Sequence, residues 1–266
     1  MIKRIKTMAI AASCLLLMTG GPTLANSAKA EKPSPDAIIA MMKEGNARYI
    51  AGKAENPKCD SSRMALAGKA DQGDYAYATV ISCSDSRVPV ERIFDAGIMD
   101  LFIVRVAGNV VDTDEAGSIE YGLAHVNTPV LVVLGHTQCG AVKAVTGAVQ
   151  GHGHALERNI PPLVENIKPA VERAIAAHPE AKDAEVVPYG IEENVYQSIE
   201  DLFMKSAATR DLVKSGKVKV VGALYDVSTG GVKWLPDAKT GEIMKKVEAN
   251  PGRAMEAMAE GGEAKH

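Results

Sequence analysis

Two apolar runs in the chain each end in side chains that can bind a metal or move a proton. The first run, residues 77–82, leads into a thiol, a carboxylate and a guanidinium, which are Cys83, Asp85 and Arg87. The second run, residues 129–135, leads into an imidazole and another thiol, which are His136 and Cys139. Thiolates and imidazoles are the usual ligands of Zn²⁺. The pattern predicts one zinc ion per chain, held by Cys83, His136 and Cys139.

The residues beside the predicted ligands suggest what such a zinc could do. Catalytic zinc sites commonly have three protein ligands and leave a fourth position to water. Asp85 lies two residues from Cys83, so its carboxylate can reach either the metal or a water on it. Arg87 has a planar guanidinium that matches a carboxylate and can hold Asp85. Asp85 and Arg87 are therefore candidate catalytic residues, and Asp85 is also a candidate fourth ligand that would close the site.

Other interpretations of these residues stay open. A disulfide between Cys83 and Cys139 without metal would indicate a redox protein, although His136 beside Cys139 favours a metal. A fourth protein ligand bound at every pH would make the zinc structural rather than catalytic. Asp85 and Arg87 could also form an ordinary surface ion pair.

The elements that would position these residues alternate along the chain. Four strand-like runs and a short fifth are separated by helical patterns, which predicts an α/β fold with a parallel four-stranded sheet, a probable antiparallel edge strand and flanking helices. The predicted strands cover residues 77–82, 101–106, 129–135, 217–225 and 231–235. The predicted helices include residues 36–52, 62–69, a helix starting near 112–114, 138–150, 161–178 and 190–208.

The strand order decides whether the candidate ligands meet. Open parallel sheets bind ligands beyond the carboxyl ends of their strands, where the strand order reverses. If the first and third strands are neighbours, and the second lies beyond the first, this switch point falls between Cys83 and His136. The second strand, residues 101–106, is apolar enough to predict burial on both faces.

The N-terminus predicts export. Residues 1–25 combine a cationic start with a short apolar run and small residues, which is typical of a signal peptide cleaved somewhere between residues 25 and 30. Residues 31–250 then form a single domain, and the Gly-, Glu- and Ala-rich residues 251–266 are expected to be a flexible tail. We expect the mature protein to be exported, to the periplasm rather than the medium.

Charge and hydropathy exclude some partners. Removing residues 1–25 takes away three cations and no acidic residue, so the formal net charge falls from −3 to −6. A mildly acidic protein is a poor candidate for binding nucleic acid or an anionic membrane surface. No second apolar run reaches the length that spans a bilayer, so we expect no membrane attachment after cleavage.

Several stretches together resemble the β-class carbonic anhydrases. They are residues 83–89, 105–109, 117–121 and 135–141, with a late turn at residues 225–230. The resemblance spans about residues 36–236. The Cys-x-Asp-x-Arg and His-x-x-Cys motifs, taken together at this separation, are specific for this family. It implies zinc on Cys83, His136 and Cys139, an Asp85–Arg87 dyad, and a homodimer or dimer of dimers whose N-terminal helix packs on its partner.

The resemblance also implies a reaction. The expected activity is the reversible hydration of carbon dioxide to bicarbonate and a proton, with zinc-bound hydroxide as the nucleophile. Hydrolysis of a related small molecule such as COS or CS₂ on the same scaffold, or a non-catalytic zinc-binding role, are the alternatives.

Overall fold

The computed structural model describes residues 31–259. The predicted signal peptide and residues 260–266 of the predicted tail lie outside the described residues. Ten α-helices occur within residues 31–259: α1 Pro35–Ile50, α2 Ser61–Ala67, α3 Val90–Ile93, α4 Thr113–Glu120, α5 Gly140–Val149, α6 Ile160–Glu165, α7 Lys168–Ala177, α8 Val187–Lys205, α9 Ala207–Lys214 and α10 Asp237–Glu248. None of the helices in this part of the chain is long and apolar enough to cross a bilayer.

The sheet has five strands in the order β2-β1-β3-β4-β5. They are β1 Ala78–Cys83, β2 Leu101–Val106, β3 Val130–His136, β4 Lys219–Tyr225 and β5 Val232–Trp234. The first four pair in parallel, and β5 pairs antiparallel with β4. The predicted fold class is confirmed, as is the predicted adjacency of β1 and β3 with β2 beyond β1. The switch point therefore lies between β1 and β3.

Alternating side chains of the central strands pack on two helical layers. Val80, Val132 and Leu134 belong to one apolar cluster with residues of α1 and α3. Ile81 and Val133 belong to the cluster on the other face, with residues of α4, α8 and α10. Every residue of β1 and β3 is buried, because a parallel sheet covered by helices on both faces needs apolar side chains on both.

Two expectations about the elements were wrong. Residues 101–106, which we expected to be buried on both faces, form the edge strand β2, where most residues are partly exposed and Arg105 is exposed. An edge strand has only one neighbour, so the layers above and below cover it less completely. The predicted helix 161–178 is two helices, α6 and α7, since the chain turns at Asn166 and Ile167 and α7 then begins at Lys168, with Pro169 in its first turn.

Sequence reasoning also missed the last helices. A separate helix, α9, follows α8 after Ser206, whose hydroxyl accepts a hydrogen bond from the backbone N–H of Thr209 at 2.9 Å and caps the new helix. Helix α10 was not predicted, although Thr240, Ile243 and Val247 lie at helical spacing and are buried. Downstream of α10, the backbone N–H of Ala254 donates to the carbonyl of Met204 at 2.8 Å.

Candidate metal centre

Three candidate ligands converge at the carboxyl ends of β1 and β3. Cys83 is the last residue of β1, His136 is the last residue of β3, and Cys139 is the N-cap of α5. Their ligand atoms all lie within 4.8 Å of one another, and all three residues are buried. Apolar residues of α5, α7 and α8 pack around the two cysteines. The strand order therefore brings together residues that are more than fifty positions apart in the chain.

The position of Cys83 depends on the turn after β2. The backbone N–H of Gly108 donates to the sulfur of Cys83 at 3.3 Å. Gly108 has φ +75°, and a Cβ at this position would come within 2.7 Å of the Ile167 side chain. Only glycine suits both the left-handed conformation and this close packing. The turn therefore supplies a hydrogen bond that stabilises a thiolate at Cys83.

The loop after β3 orients the imidazole. Nδ1 of His136 lies 2.9 Å from the carbonyl oxygen of Thr137. A carbonyl can only accept, so Nδ1 carries the proton and Nε2 presents a lone pair. Nε2 is buried and has no hydrogen-bond partner among the described residues. Gln138, at φ +58°, turns the chain so that Cys139 faces the same point. An unpaired buried nitrogen beside two thiols fits a zinc ion.

The two thiols influence each other. The pKa of Cys83 lies well below the usual thiol value, because hydrogen bonds from the Cys139 thiol and the Gly108 N–H stabilise its thiolate and outweigh the opposing effect of burial. The pKa of Cys139 is raised by its contact with Cys83 and by burial, although N–H groups at the start of α5 oppose the rise. Two sulfurs competing for negative charge in one buried pocket are well suited to a divalent cation.

Asp85 and Arg87 form a bidentate pair next to these ligands. Nε of Arg87 donates to Oδ1 of Asp85 at 2.9 Å, and Nη2 donates to Oδ2 at 2.7 Å. This pairing holds the pKa of Asp85 well below its usual value, so the side chain stays a carboxylate. Oδ2 of Asp85 lies 3.9 Å from Nε2 of His136. Asp85 thus lies beside the group formed by Cys83, His136 and Cys139, and both of its carboxylate oxygens accept hydrogen bonds from Arg87.

Arg87 also connects the two ligand loops. Its Nη2 donates to the backbone carbonyl of Gln138 at 3.1 Å, which ties the loop after β1 to the loop after β3. On the other side, Arg105 donates to the backbone carbonyls of Cys83 at 3.2 Å and Asp85 at 2.8 Å. We assigned no separate role to Arg105 from the sequence. A single arginine in the apolar run 101–106 was the available signal.

The loop after β3 is further held by the turn after β4. The hydroxyl of Thr137 donates to Oδ1 of Asp226 at 3.3 Å and accepts from the backbone N–H of Val227 at 3.1 Å. Hydrogen bonds from the hydroxyl and backbone N–H of Ser228 are the main reason why the pKa of Asp226 falls to about 2. The turn at residues 225–230 therefore positions the loop between His136 and Cys139.

A parallel α/β sheet with a buried Cys-His-Cys group at its switch point defines a candidate metalloenzyme of the α/β class. The comparisons with known proteins are more specific. A family model described as carbonic anhydrase matches residues 78–232. Carbonic anhydrase 2 of Mycobacterium tuberculosis is 33% identical over 198 residues, covering 74% of this chain and 91% of that protein. The carbonic anhydrase of Mycolicibacterium smegmatis is 33% identical over 203 residues, covering 75% and 93%.

Solved structures agree with the sequence relatives. A β-carbonic anhydrase of Aspergillus fumigatus has a TM-score of 0.60 and 26% identity, with 80% of this chain and 95% of that chain covered. One of two tetrameric β-carbonic anhydrases from Sordaria macrospora shares the fold, with a TM-score of 0.57, 22% identity, and coverage of 75% and 97%. The chain therefore belongs to the carbonic anhydrase family, in its β class, and the predicted family is confirmed.

Proposed function

We propose that this protein catalyses the reversible, zinc-dependent hydration of carbon dioxide to bicarbonate and a proton. The observation that carries the proposal is the convergence of Cys83, His136 and Cys139 within 4.8 Å, next to a carboxylate held by Arg87. Two sulfurs and an imidazole nitrogen are the donor set of a mononuclear zinc site. Carbonic anhydrases from two mycobacteria, each 33% identical to this chain, support the reaction class.

In this proposal the three ligands hold one zinc ion per chain, which when bound supplies a Lewis acid that activates water at neutral pH. Asp85, kept ionised by Arg87, accepts a hydrogen bond from the attacking water and directs its lone pair toward the carbon of carbon dioxide. Arg87 keeps Asp85 away from the ligand group, which favours an open site over one closed by the carboxylate. Apolar side chains around the cysteines limit access of bulk water.

The assembly and location of the protein are part of the same proposal. We infer a homodimer or a dimer of dimers, supported by the tetrameric Sordaria macrospora enzymes that share the fold and by the partly exposed edge strand β2. We also infer that residues 1–25 direct export to the periplasm, supported by their signal-peptide pattern. Size-exclusion chromatography with light scattering, and fractionation of cells that express the full chain, test these two inferences.

Stopped-flow carbon dioxide hydration, with zinc per chain measured on the same sample, tests the activity. The expected result is about one zinc per chain and rapid hydration, both lost in Cys83→Ala. One zinc per chain without hydration between about pH 7 and pH 9 would refute the proposed activity. COS and CS₂, tested in the same assay series, would then show whether the site acts on a related small molecule or is non-catalytic.

A further inference from the structure

Helix α8 carries two buried polar residues one turn apart that the proposed chemistry does not use. Asn194 and Ser198 are each 1% exposed. Polar side chains at this depth require a partner or a role. Both are directed at the short turn Ala107–Asn109, which follows β2 and contacts the candidate metal centre.

Gly108 connects α8 to a candidate zinc ligand. Its carbonyl oxygen accepts a hydrogen bond from Nδ2 of Asn194 at 2.7 Å. Its N–H donates to the sulfur of Cys83 at 3.3 Å. The hydroxyl oxygen of Ser198 lies 2.8 Å from the carbonyl oxygen of Asn109 and 2.9 Å from that of Asn194, and it accepts a hydrogen bond from Nδ2 of Asn109 at 3.4 Å. The helix thus holds the turn whose N–H contacts the thiolate.

The side-chain amide of Asn194 is not fully satisfied. Its Oδ1 is buried and has no hydrogen-bond partner within residues 31–259. An unpaired buried oxygen destabilises a fold, and an apolar side chain would avoid this loss. An asparagine at this position is explained if the structure needs only its side-chain N–H donor, which binds the carbonyl of Gly108.

We propose that Asn194 is a positioning residue for the metal centre. By fixing the carbonyl of Gly108, Asn194 keeps the Gly108 N–H directed at the sulfur of Cys83, and Ser198 supports the same turn through Asn109. The inference rests on the proposed function in one respect, since it takes zinc to be the ion that Cys83 holds.

The physical effect is on the orientation of the sulfur. The Gly108 N–H directed at the sulfur of Cys83 fixes the position of this ligand, so less ordering is needed when the metal binds. Hydrogen bonds that orient metal ligands typically change metal affinity by 10- to 100-fold when they are removed. Loss of Asn194 should therefore weaken zinc binding before any effect on the reaction is considered.

Asn194→Leu in the full chain tests the inference, because leucine has the same branched arrangement of four side-chain heavy atoms and no N–H donor. We expect its zinc dissociation constant, measured by competition with a chelator, to rise by about 10- to 100-fold. In the cobalt-substituted protein, the thiolate-to-cobalt absorption band should shift, because the Gly108 N–H is no longer held in place against the sulfur of Cys83. A folded Asn194→Leu protein with unchanged zinc affinity and an unchanged cobalt spectrum would overturn the inference.

Gln197→Met is the matched control. Gln197 lies on the same helix, and its amide donates to Asp201 at 2.8 Å and accepts from Arg173 at 2.7 Å, without contact to the turn. We expect its zinc affinity to match that of the wild type. If zinc affinity fell equally in this control, the substitution of any polar side chain on α8 would have the same effect, and the inference would be overturned.

Ser198→Ala keeps the test decisive if Asn194→Leu does not fold, because it removes a single oxygen atom. We expect about 3- to 10-fold weaker zinc binding, and unchanged binding would overturn the inference.

Zinc affinity is measured without substrate, so the proposed activity and the proposed role of Asn194 are tested separately. A wild-type protein that binds zinc without hydrating carbon dioxide would refute the proposed activity and leave this test valid. A wild-type protein that binds no zinc would overturn the inference.

Discussion

Two arginines of this protein each pair with a partly exposed carboxylate, but one guanidinium is exposed and the other is buried. The Arg87 side chain, at the candidate metal centre, is 46% exposed and forms a bidentate pair with Asp85. The Arg210 side chain, on α9, is only 4% exposed. Arg210 donates to the backbone carbonyls of Phe203 and Ala254 and pairs with Glu248 at 3.3 Å.

The difference separates function from stability. An exposed pair such as Arg87–Asp85 contributes little to folding, so its geometry serves to keep Asp85 charged and oriented. A buried guanidinium such as that of Arg210 must have its donors satisfied, and it joins the end of α8, α10 and the segment after α10. Removing the Arg87–Asp85 pair should therefore reduce activity, whereas removing the guanidinium of Arg210 should reduce stability.

Asp85→Asn should produce the largest effect. The amide lacks the negative charge that Arg87 holds and accepts hydrogen bonds less strongly, so we expect kcat/KM for carbon dioxide hydration to fall by about 100-fold or more. The thermal unfolding midpoint should change by less than about 2 °C, since exposed pairs contribute little. Stopped-flow kinetics and calorimetry measure the two quantities.

The control for Asp85→Asn is Asp211→Asn, which removes a surface pair with Lys214 at 3.0 Å. We expect neither activity nor stability to change. If Asp85→Asn lowered stability and preserved activity, the Asp85–Arg87 pair would be structural and the contrast with Arg210 would fail.

Arg210→Met should have the next largest effect, and on stability. It removes a buried donor from the Phe203 and Ala254 carbonyls and one of three cations from Glu248, so we expect the free energy of unfolding to fall by about 2–3 kcal/mol. Urea denaturation measures this fall, while kcat/KM should stay within about twofold because Arg210 acts on folding and touches none of the ligands.

Lys214→Met is the matched control for Arg210→Met. Lys214 also contacts Glu248, at 3.1 Å, but its side chain is largely exposed. We expect no measurable change in the free energy of unfolding, because an ion pair at an exposed lysine contributes little. Equal losses in the two variants would show that charge, and not burial, determines the contribution of Arg210.

Asp201 extends the comparison to a half-buried carboxyl that has no bidentate arginine. Burial raises its pKa to about 6, against a smaller opposing effect of the hydrogen bond from Gln197. A raised carboxyl pKa means that the unfolded chain ionises first as pH rises, so stability falls between about pH 4 and pH 6 and then stays level. The ionised form is thus the destabilising one.

Asp201→Asn should therefore stabilise the protein at pH 7 by about 1–2 kcal/mol, since the residue is only half buried and solvent reduces the effect. The gain should disappear below about pH 4, where the carboxyl is protonated in both states. Urea denaturation at pH 4, 5, 6 and 7 measures it. A gain that is constant across this range would mean that titration of Asp201 does not determine the effect.

Most of the fold was predictable because its signals are local. Apolar runs of strand length, helical periodicity and capping residues placed β1, β3, α1 and α5 close to their observed bounds. The burial of β2 was not predictable from its composition, because the same apolar residues suit a central strand and an edge strand. Helix α10 had buried positions at helical spacing, but many charged residues separate them.

The sequence by itself determined the ligand types, their location at strand ends and the family, because these depend on residue identity and short spacing. The sequence also predicted the Asp85–Arg87 pair, but only the tertiary structure decided that Asn194 holds Gly108, 86 residues away in the chain. Such hydrogen bonds depend on how helices pack against strands. No local pattern records that packing, since the free energy that fixes it comes from apolar burial across the whole sheet.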